Sequence, residues 1–185
     1  MRVITGTARG TNLKTPEGMH TRPTADRVKE ALFNVIQYEI RGEVLDLFAG
    51  TGQLGIEALS RGAARAVFVD QRADAVGLVR ENLRRTHLSD RAEIYCGDYL
   101  TYLDRCTKRF DLIFLDPPYA EKSLENAILR ISEIDILADG GIIITERPRG
   151  KLLELELPGL TRSKDYNYGK TTITLFRRES REDIT

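Results

Sequence analysis

Val44-Leu45-Asp46-Leu47-Phe48-Ala49-Gly50-Thr51-Gly52 is an apolar run that ends in a glycine turn and leads into the helical pattern of Leu54–Arg61. A strand, a glycine turn and a helix in that order form the opening of a βαβ unit. Glycine tolerates positive φ and lets a ligand touch bare backbone, so the turn is a candidate binding loop. Read literally, Gly50-Thr51-Gly52-Gln53-Leu54-Gly55 is also G-x-G-x-x-G, the pattern of dinucleotide folds. Asp70 lies twenty residues beyond Gly50, at the end of the next apolar run, and is placed to accept hydrogen bonds from ribose hydroxyls under either reading.

Outward from this unit, strands and helices alternate. Arg65–Asp70, Ala92–Cys96, Phe110–Leu115 and Gly141–Thr145 read as strands. Ala73–Thr86, a short stretch through Tyr99 and Leu103, and Leu124–Ile134 read as helices. The spacing of Val28, Ala31, Leu32, Val35 and Ile36 predicts an amphipathic helix over 25–39. Alternating units imply an α/β fold with a mostly parallel, doubly wound sheet. Leu160–Tyr166 and Thr171–Arg177, separated by Asn167-Tyr168-Gly169, predict a terminal hairpin that inserts one antiparallel strand. Arg2–Thr5 and Thr11–Lys14 flank a Gly6–Gly10 turn and predict an N-terminal β-hairpin. The organisation expected is an N-terminal extension over 1–23, a main domain over 24–178 and a frayed charged tail over 179–185.

A second motif carries chemistry. Leu112-Ile113-Phe114-Leu115 runs into Asp116-Pro117-Pro118-Tyr119. Proline lacks the N–H a ladder needs and holds φ near −65°, so the strand stops in a stiff turn. The turn aims a carboxylate, backbone carbonyls and an aromatic face at one small volume. That suits a planar group bearing an NH2, whose hydrogens meet oxygens while the ring stacks on its face. Asp46, inside the strand before the glycine turn, suits an ammonium or a backbone amide and repels a pyrophosphate. Asp98, just after the third strand, is placed to meet an adenine edge.

Composition sets bounds. The 185 residues make one domain large enough to bury a core, and 28 basic residues balance 28 acidic ones. No global charge draws the chain to nucleic acid, although Arg2, Arg9, Lys14 and Arg22 concentrate positive charge near the N-terminus. Cys96 and Cys106 form neither a disulfide framework nor a metal cluster, and His20 and His87 have no ligand-spaced partner. The sequence has no apolar leader and no membrane span, so a soluble cytoplasmic monomer without a metal is expected.

With these residues in view, the chain resembles the S-adenosylmethionine-dependent methyltransferases of the Rossmann-like class. Within that class, Arg22-Pro23-Thr24-Ala25-Asp26-Arg27-Val28-Lys29-Glu30-Ala31-Leu32-Phe33-Asn34, the opening Arg2–Gly10 and Tyr168-Gly169-Lys170-Thr171 resemble the bacterial family that methylates N2 of a guanine in 16S ribosomal RNA. The resemblance implies a seven-stranded sheet with an N-terminal hairpin extension. It implies a cofactor site at Asp46, Phe48, Ala49, Gly50, Thr51, Gly52, Asp70, Asp98 and Tyr99, and catalysis by Asp116, Pro117 and Tyr119. The substrate would be 16S ribosomal RNA on an assembled or assembling small subunit, contacted by Arg2, Arg9, Lys14 and Arg22. Arg22, with Thr24, has a second reading: closure over the cofactor's amino-acid end. DNA adenine-N6 or protein glutamine methylation, a nicotinamide-dependent oxidoreductase, and a non-catalytic module in ribosome assembly remain as rivals.

Overall fold

The computed structural model describes residues 1–18, 23–118, 122–151, 153, 155 and 157–178, with backbone alone at 23–25. Arg22, Tyr119 and the tail from 179 lie outside the described residues, as does the Thr24 side chain.

The chain runs α1 (Pro23–Val35), β1 (Glu43–Asp46), α2 (Gln53–Ser60), β2 (Arg65–Asp70), α3 (Ala73–Thr86) and β3 (Ala92–Cys96). It continues through α4 (Tyr99–Arg105), β4 (Phe110–Leu115), α5 (Ser123–Ile134), β5 (Leu137–Pro148), β6 (Leu160–Arg162), β7 (Tyr166–Tyr168) and β8 (Thr171–Arg178). All eight strands form one sheet in the order β3-β2-β1-β4-β5-β8-β6, with β7 also on β8. From β1 the chain winds outward to β3, then crosses back to β4 on the other side of β1. That reversal opens a crevice at the carboxyl ends of β1 and β4.

Alternation along the strands divides the core. Val44, Phe68, Phe114, Ile142 and Ile144 pack on one face with Leu32 and Phe33 of α1, Ile36 just beyond it, and Ile56 and Leu59 of α2. Leu45, Val67, Ile113, Leu115 and Ile143 pack on the other with Leu103, Ile128 and Ile131. Residues 142–144 are buried on both faces, as a central parallel strand requires.

The expected mostly parallel sheet with one antiparallel strand is present. β8 alone opposes β5, and β6 and β7 in turn oppose β8. The count is eight rather than seven because the predicted strand Leu160–Tyr166 divides. Asp165 accepts hydrogen bonds from Arg147 Nη2 at 2.6 Å and Thr174 Oγ1 at 2.6 Å, which pulls the backbone between β6 and β7 off the ladder. Tyr168, expected in the turn, closes β7 opposite Thr171. Helix α1 spans Pro23–Val35 rather than 25–39: it starts early since proline's fixed φ and missing N–H suit the first helical turn, and residues 36–39 form a turn, with the Glu39 N–H bonded to the Ile36 carbonyl at 3.0 Å.

The N-terminal arm pairs as a hairpin at a single bridge, Arg2 to Asn12. Side chains of the domain hold it instead of a longer ladder. Glu57 Oε2 accepts the Ile4 N–H at 2.8 Å and Oε1 the Thr5 N–H at 3.0 Å. Ser60 Oγ accepts the Ala8 N–H at 3.0 Å. Asn82 Oδ1 accepts the Lys14 N–H at 2.7 Å. Val3 and Leu13 of the arm are themselves buried.

Candidate active site

The glycine turn begins where β1 leaves the sheet. Gly50 has φ +55° and Gly52 φ +78°, a region costly to residues with a Cβ. A Cβ at Gly50 would meet nothing within 4 Å, so that backbone faces an open hollow. At Gly55 a Cβ would lie 2.4 Å from the Phe68 ring; the third glycine brings α2 against β2.

Two buried or half-buried acids hold this turn by its amides. Asp46 Oδ2 accepts the Gly55 N–H at 3.0 Å, in the first turn of α2, where a negative charge complements the helix dipole. Asp70 Oδ2 accepts the Gly50 N–H at 2.8 Å and Oδ1 the Arg72 N–H at 2.9 Å. Ala49 donates to the Val69 carbonyl at 2.9 Å, and the Thr51 carbonyl accepts Asn82 Nδ2 at 2.9 Å. Asn82 thus ties the turn to the arm. Phe48 and Tyr99 stand beside the turn with ring centroids 5.0 Å apart. Asp98 caps α4, its Oδ1 accepting the Thr101 N–H at 3.0 Å. Asp70 and Asp98 sit at the ends of neighbouring strands, joined by the Gly97 N–H to the Asp70 carbonyl at 3.0 Å.

Across the crevice, β4 ends at Leu115 and Asp116 follows, with Pro117 buried and Pro118 exposed. Burial raises the Asp116 carboxyl well above the ordinary carboxylate range, and the charges of Glu146 and Asp46 raise it further. Asp46, only 2 % exposed, is pushed up from 3.8 to about 7, chiefly by burial and secondarily by Asp70, against the Gly55 hydrogen bond. Asp46 and Glu146 both act on Asp116, so three carboxyls converge on one corner.

A carboxyl whose folded pKa exceeds its unfolded one holds its proton more tightly in the fold. The contribution of Asp46 to stability is full below about pH 4 and is lost as pH rises through 7. Thermal unfolding of the ligand-free protein between pH 4 and 8 should show this decline, and Asp46→Asn should flatten it. Asp116 adds a slope of the same sign that Asp46→Asn leaves in place. An unchanged pH dependence in Asp46→Asn would show that this acid is not the group responsible.

The arm places further predicted residues. Arg2 and Arg9 line a groove of about 590 Å³ between the arm and α1, together with Arg27, Asp26 and Glu30. Lys14 lies apart from it, paired with Glu81 at 3.6 Å. Beneath the groove is a buried network that periodicity does not reveal. Glu57, fully buried, accepts Arg61 Nε at 2.8 Å and stands 3.7 Å from Lys29 Nζ, which donates to the Arg2 carbonyl at 2.6 Å. Glu57, Asn82 and Glu146 were not singled out by sequence. Glu57 and Asn82 carry one signal, a polar residue on the apolar stripe of a helix. Among the described residues, no group of His, Cys, Asp or Glu is spaced to hold a metal ion, and no helix is long and apolar enough to cross a membrane.

Comparison with known proteins places this arrangement in a lineage. The family model described as Conserved hypothetical protein 95 matches residues 1–177. A Bacillus subtilis protein named "Putative rRNA methyltransferase YlbH" is 41% identical over 186 residues, covering 96% of this chain and 99% of the relative. "Ribosomal RNA small subunit methyltransferase D" of Haemophilus influenzae is 36% identical over 157 residues, 83% of this chain and 81% of the relative. A solved structure described as "Putative methyltransferase yhhF from Escherichia coli" superposes with a TM-score of 0.87 at 31% identity, covering 98% of this chain and 99% of that one. With a family match that spans nearly its whole length and a methyltransferase-like crevice at the switch point of its sheet, the chain belongs to the Conserved hypothetical protein 95 family, as an RsmD-like methyltransferase.

Proposed function

We propose that this chain transfers a methyl group from S-adenosylmethionine to the exocyclic N2 of a guanine in 16S ribosomal RNA, on an assembled or assembling small subunit. The observation that carries the reading is the juxtaposition at the switch point. The glycine turn of β1 and the Asp116-Pro117-Pro118 corner of β4 leave adjacent parallel strands at the same end of the sheet.

The residues fit the donor. The open backbone at Gly50 leaves room for it, and the carboxyl of Asp70 retains lone pairs for ribose hydroxyls beyond its bonds to two amides. The same hydrogen bonds argue against a dinucleotide. The N-terminal amide of α2 at Gly55, where an anion would sit, is already given to Asp46, whose carboxyl would repel a pyrophosphate. When bound, S-adenosylmethionine supplies a methyl on a sulfonium, itself a good leaving group. Asp98 and Tyr99 border the adenine side, and Arg22 and Thr24 close over the amino-acid end or reach RNA.

The chain's own work is positioning and charge. A base amine is a poor nucleophile because its lone pair is delocalised into the ring. Accepting its two N–H bonds at the Asp116 carboxylate and the Pro117 carbonyl favours a pyramidal nitrogen and stabilises the positive charge that develops on it. Tyr119 stacks on the base and fixes its approach. As the N–C bond forms and the S–C bond breaks, the nitrogen sheds one proton. The ionised Asp116 carboxylate is suited to take it, since burial and the charges of Glu146 and Asp46 raise its affinity for a proton. The target base must leave its stack, which costs a few kcal/mol. A loop guanine of RNA is easier to extract than one in a duplex. Arg2, Arg9 and Lys14 offer positive charge to the phosphates around it.

The test is methyl transfer to small subunits from cells lacking the gene, followed by nucleoside analysis. N2-methylguanosine is the expected product; N6-methyladenosine, or no RNA product at all, would overturn the reading. Calorimetry should detect S-adenosylhomocysteine and not NAD. Gly50→Ala, which places a Cβ in the hollow at a φ costing about 1–2 kcal/mol, should weaken S-adenosylhomocysteine binding by about tenfold or more. Unchanged affinity in that variant would move the donor away from the turn.

A further inference from the structure

The pairing of β4 with β5 sets Phe114 beside Ile144 and Leu115 beside Thr145, so Asp116 comes level with Glu146 on the neighbouring strand. Side chains at matched positions of parallel strands share a face, and the strands lie about 4.8 Å apart. Phe114 and Ile144 both belong to the core beneath α1, so Asp116 and Glu146, two residues on, emerge together on that side. Glu146 is half-buried, and its Oε1 accepts a hydrogen bond from Thr171 Oγ1 at 3.4 Å. Thr171 pairs with Tyr168 across β7 and with Pro148 across β5. The Tyr168-Gly169-Lys170-Thr171 turn therefore buttresses the second carboxylate of the corner.

An ionised carboxylate such as that of Glu146 accepts hydrogen bonds and offers none. The nucleobases differ sharply against such an edge. In adenine and cytosine the ring nitrogen beside the exocyclic amine is an acceptor, which a carboxylate repels. In guanine the amine lies between two ring nitrogens, of which N3 is an acceptor and N1–H, on the Watson–Crick edge, is a donor. We propose that Glu146 accepts the N1–H of the target guanine while Asp116 and Pro117 hold its amine, so that Glu146 determines the base specificity of the site. This rests on the guanine-amine reading of the previous section.

The test uses two small-subunit RNAs assembled with subunit proteins. One carries guanine at the methylated position and the other carries 2-aminopurine there by splinted ligation. Both present an amine at C2, and only guanine has N1–H. The wild-type chain should prefer guanine in kcat/KM by at least about a hundredfold, because a site built to bond a donor rejects the analogue lacking it. In Glu146→Gln, whose amide can donate to an unprotonated N1, the preference should fall to about tenfold or less, with S-adenosylhomocysteine affinity within about threefold of wild type. A merely structural role would lower both rates together and leave their ratio unchanged, and that result overturns the inference. Should Glu146→Gln fail to bind S-adenosylhomocysteine, Thr171→Val carries the test. It should lower the ratio by about threefold or more, and an unchanged ratio overturns the inference. A wild-type chain that methylates guanine in unmodified subunits yet treats 2-aminopurine equally overturns the inference and spares the proposed function. No N2-methylguanosine from unmodified subunits overturns both.

Discussion

Asp116→Ala is expected to lower methyl transfer by about a thousandfold while leaving S-adenosylhomocysteine binding within a few fold. In the proposed mechanism the loss is large because the carboxylate acts only as charge develops on the attacking nitrogen, whereas the proposed donor site is the glycine turn that Asp46 and Asp70 hold by its amides. Removing a single preorganised partner of a developing charge commonly costs about a hundred- to a thousandfold. The proposed mechanism also makes Asp116 the proton's destination, which places its effect at the upper end. Stability should not fall with activity. Burial and the neighbouring Glu146 and Asp46 already disfavour an ionised Asp116, so its removal breaks no stabilising ion pair in the ligand-free fold. Single-turnover methylation with saturating donor, beside calorimetry and a melting curve, separates the three quantities. A variant that kept most of its turnover would move the chemistry away from β4.

The second large effect is on folding. Glu57→Ala should destabilise the protein by about 3–5 kcal/mol, the usual result of breaking a buried pair and leaving one charge behind. Glu57 has no solvent contact and holds four groups: the Ile4 and Thr5 amides, the Arg61 guanidinium and the Lys29 ammonium. Lys29 is itself nearly inaccessible, and its pKa is lowered by burial against the opposing pull of Glu57. Without Glu57 the lysine is stranded and two arm amides lose their acceptor. For a chain of this size the melting temperature should drop by roughly 10 °C or more. Lys29→Met with Glu57→Leu should recover part of the loss, because the buried lysine is no longer stranded and only Arg61, 10% exposed, is left without its carboxylate. A double variant as unstable as Glu57→Ala would locate the effect in the arm amides alone. In either case the arm loosens, and with it Arg2 and Arg9 at the rim of the groove.

Legibility differs between the parts of this molecule for a physical reason. Strand–turn–helix order, the apolar fifth strand and the proline corner are local, and each is written in consecutive residues. They yielded a mostly parallel α/β sheet with one reversed strand. Tyr166–Tyr168 and the division of the terminal strand were not readable, because Asp165 is drawn away by Arg147, from a strand 18 residues earlier, and by Thr174, nine residues later. The arm was legible as antiparallel and illegible in how it is held. Its amides go to Glu57 and Asn82, more than fifty residues away, where sequence offers only two polar residues on helices.

By itself the sequence determined the kind of corner this chain can build: an acid and two prolines after an apolar run, and a glycine bend after another, since stiffness and positive φ are properties of single residues. Only the tertiary structure decided which groups share that corner. Strand register set Glu146 level with Asp116, burial raised Asp46 to about 7, and the Gly50 amide was given to Asp70. Register and burial arise from contacts between distant segments, and a carboxylate's partners and protonation follow from those contacts rather than from its neighbours in the chain.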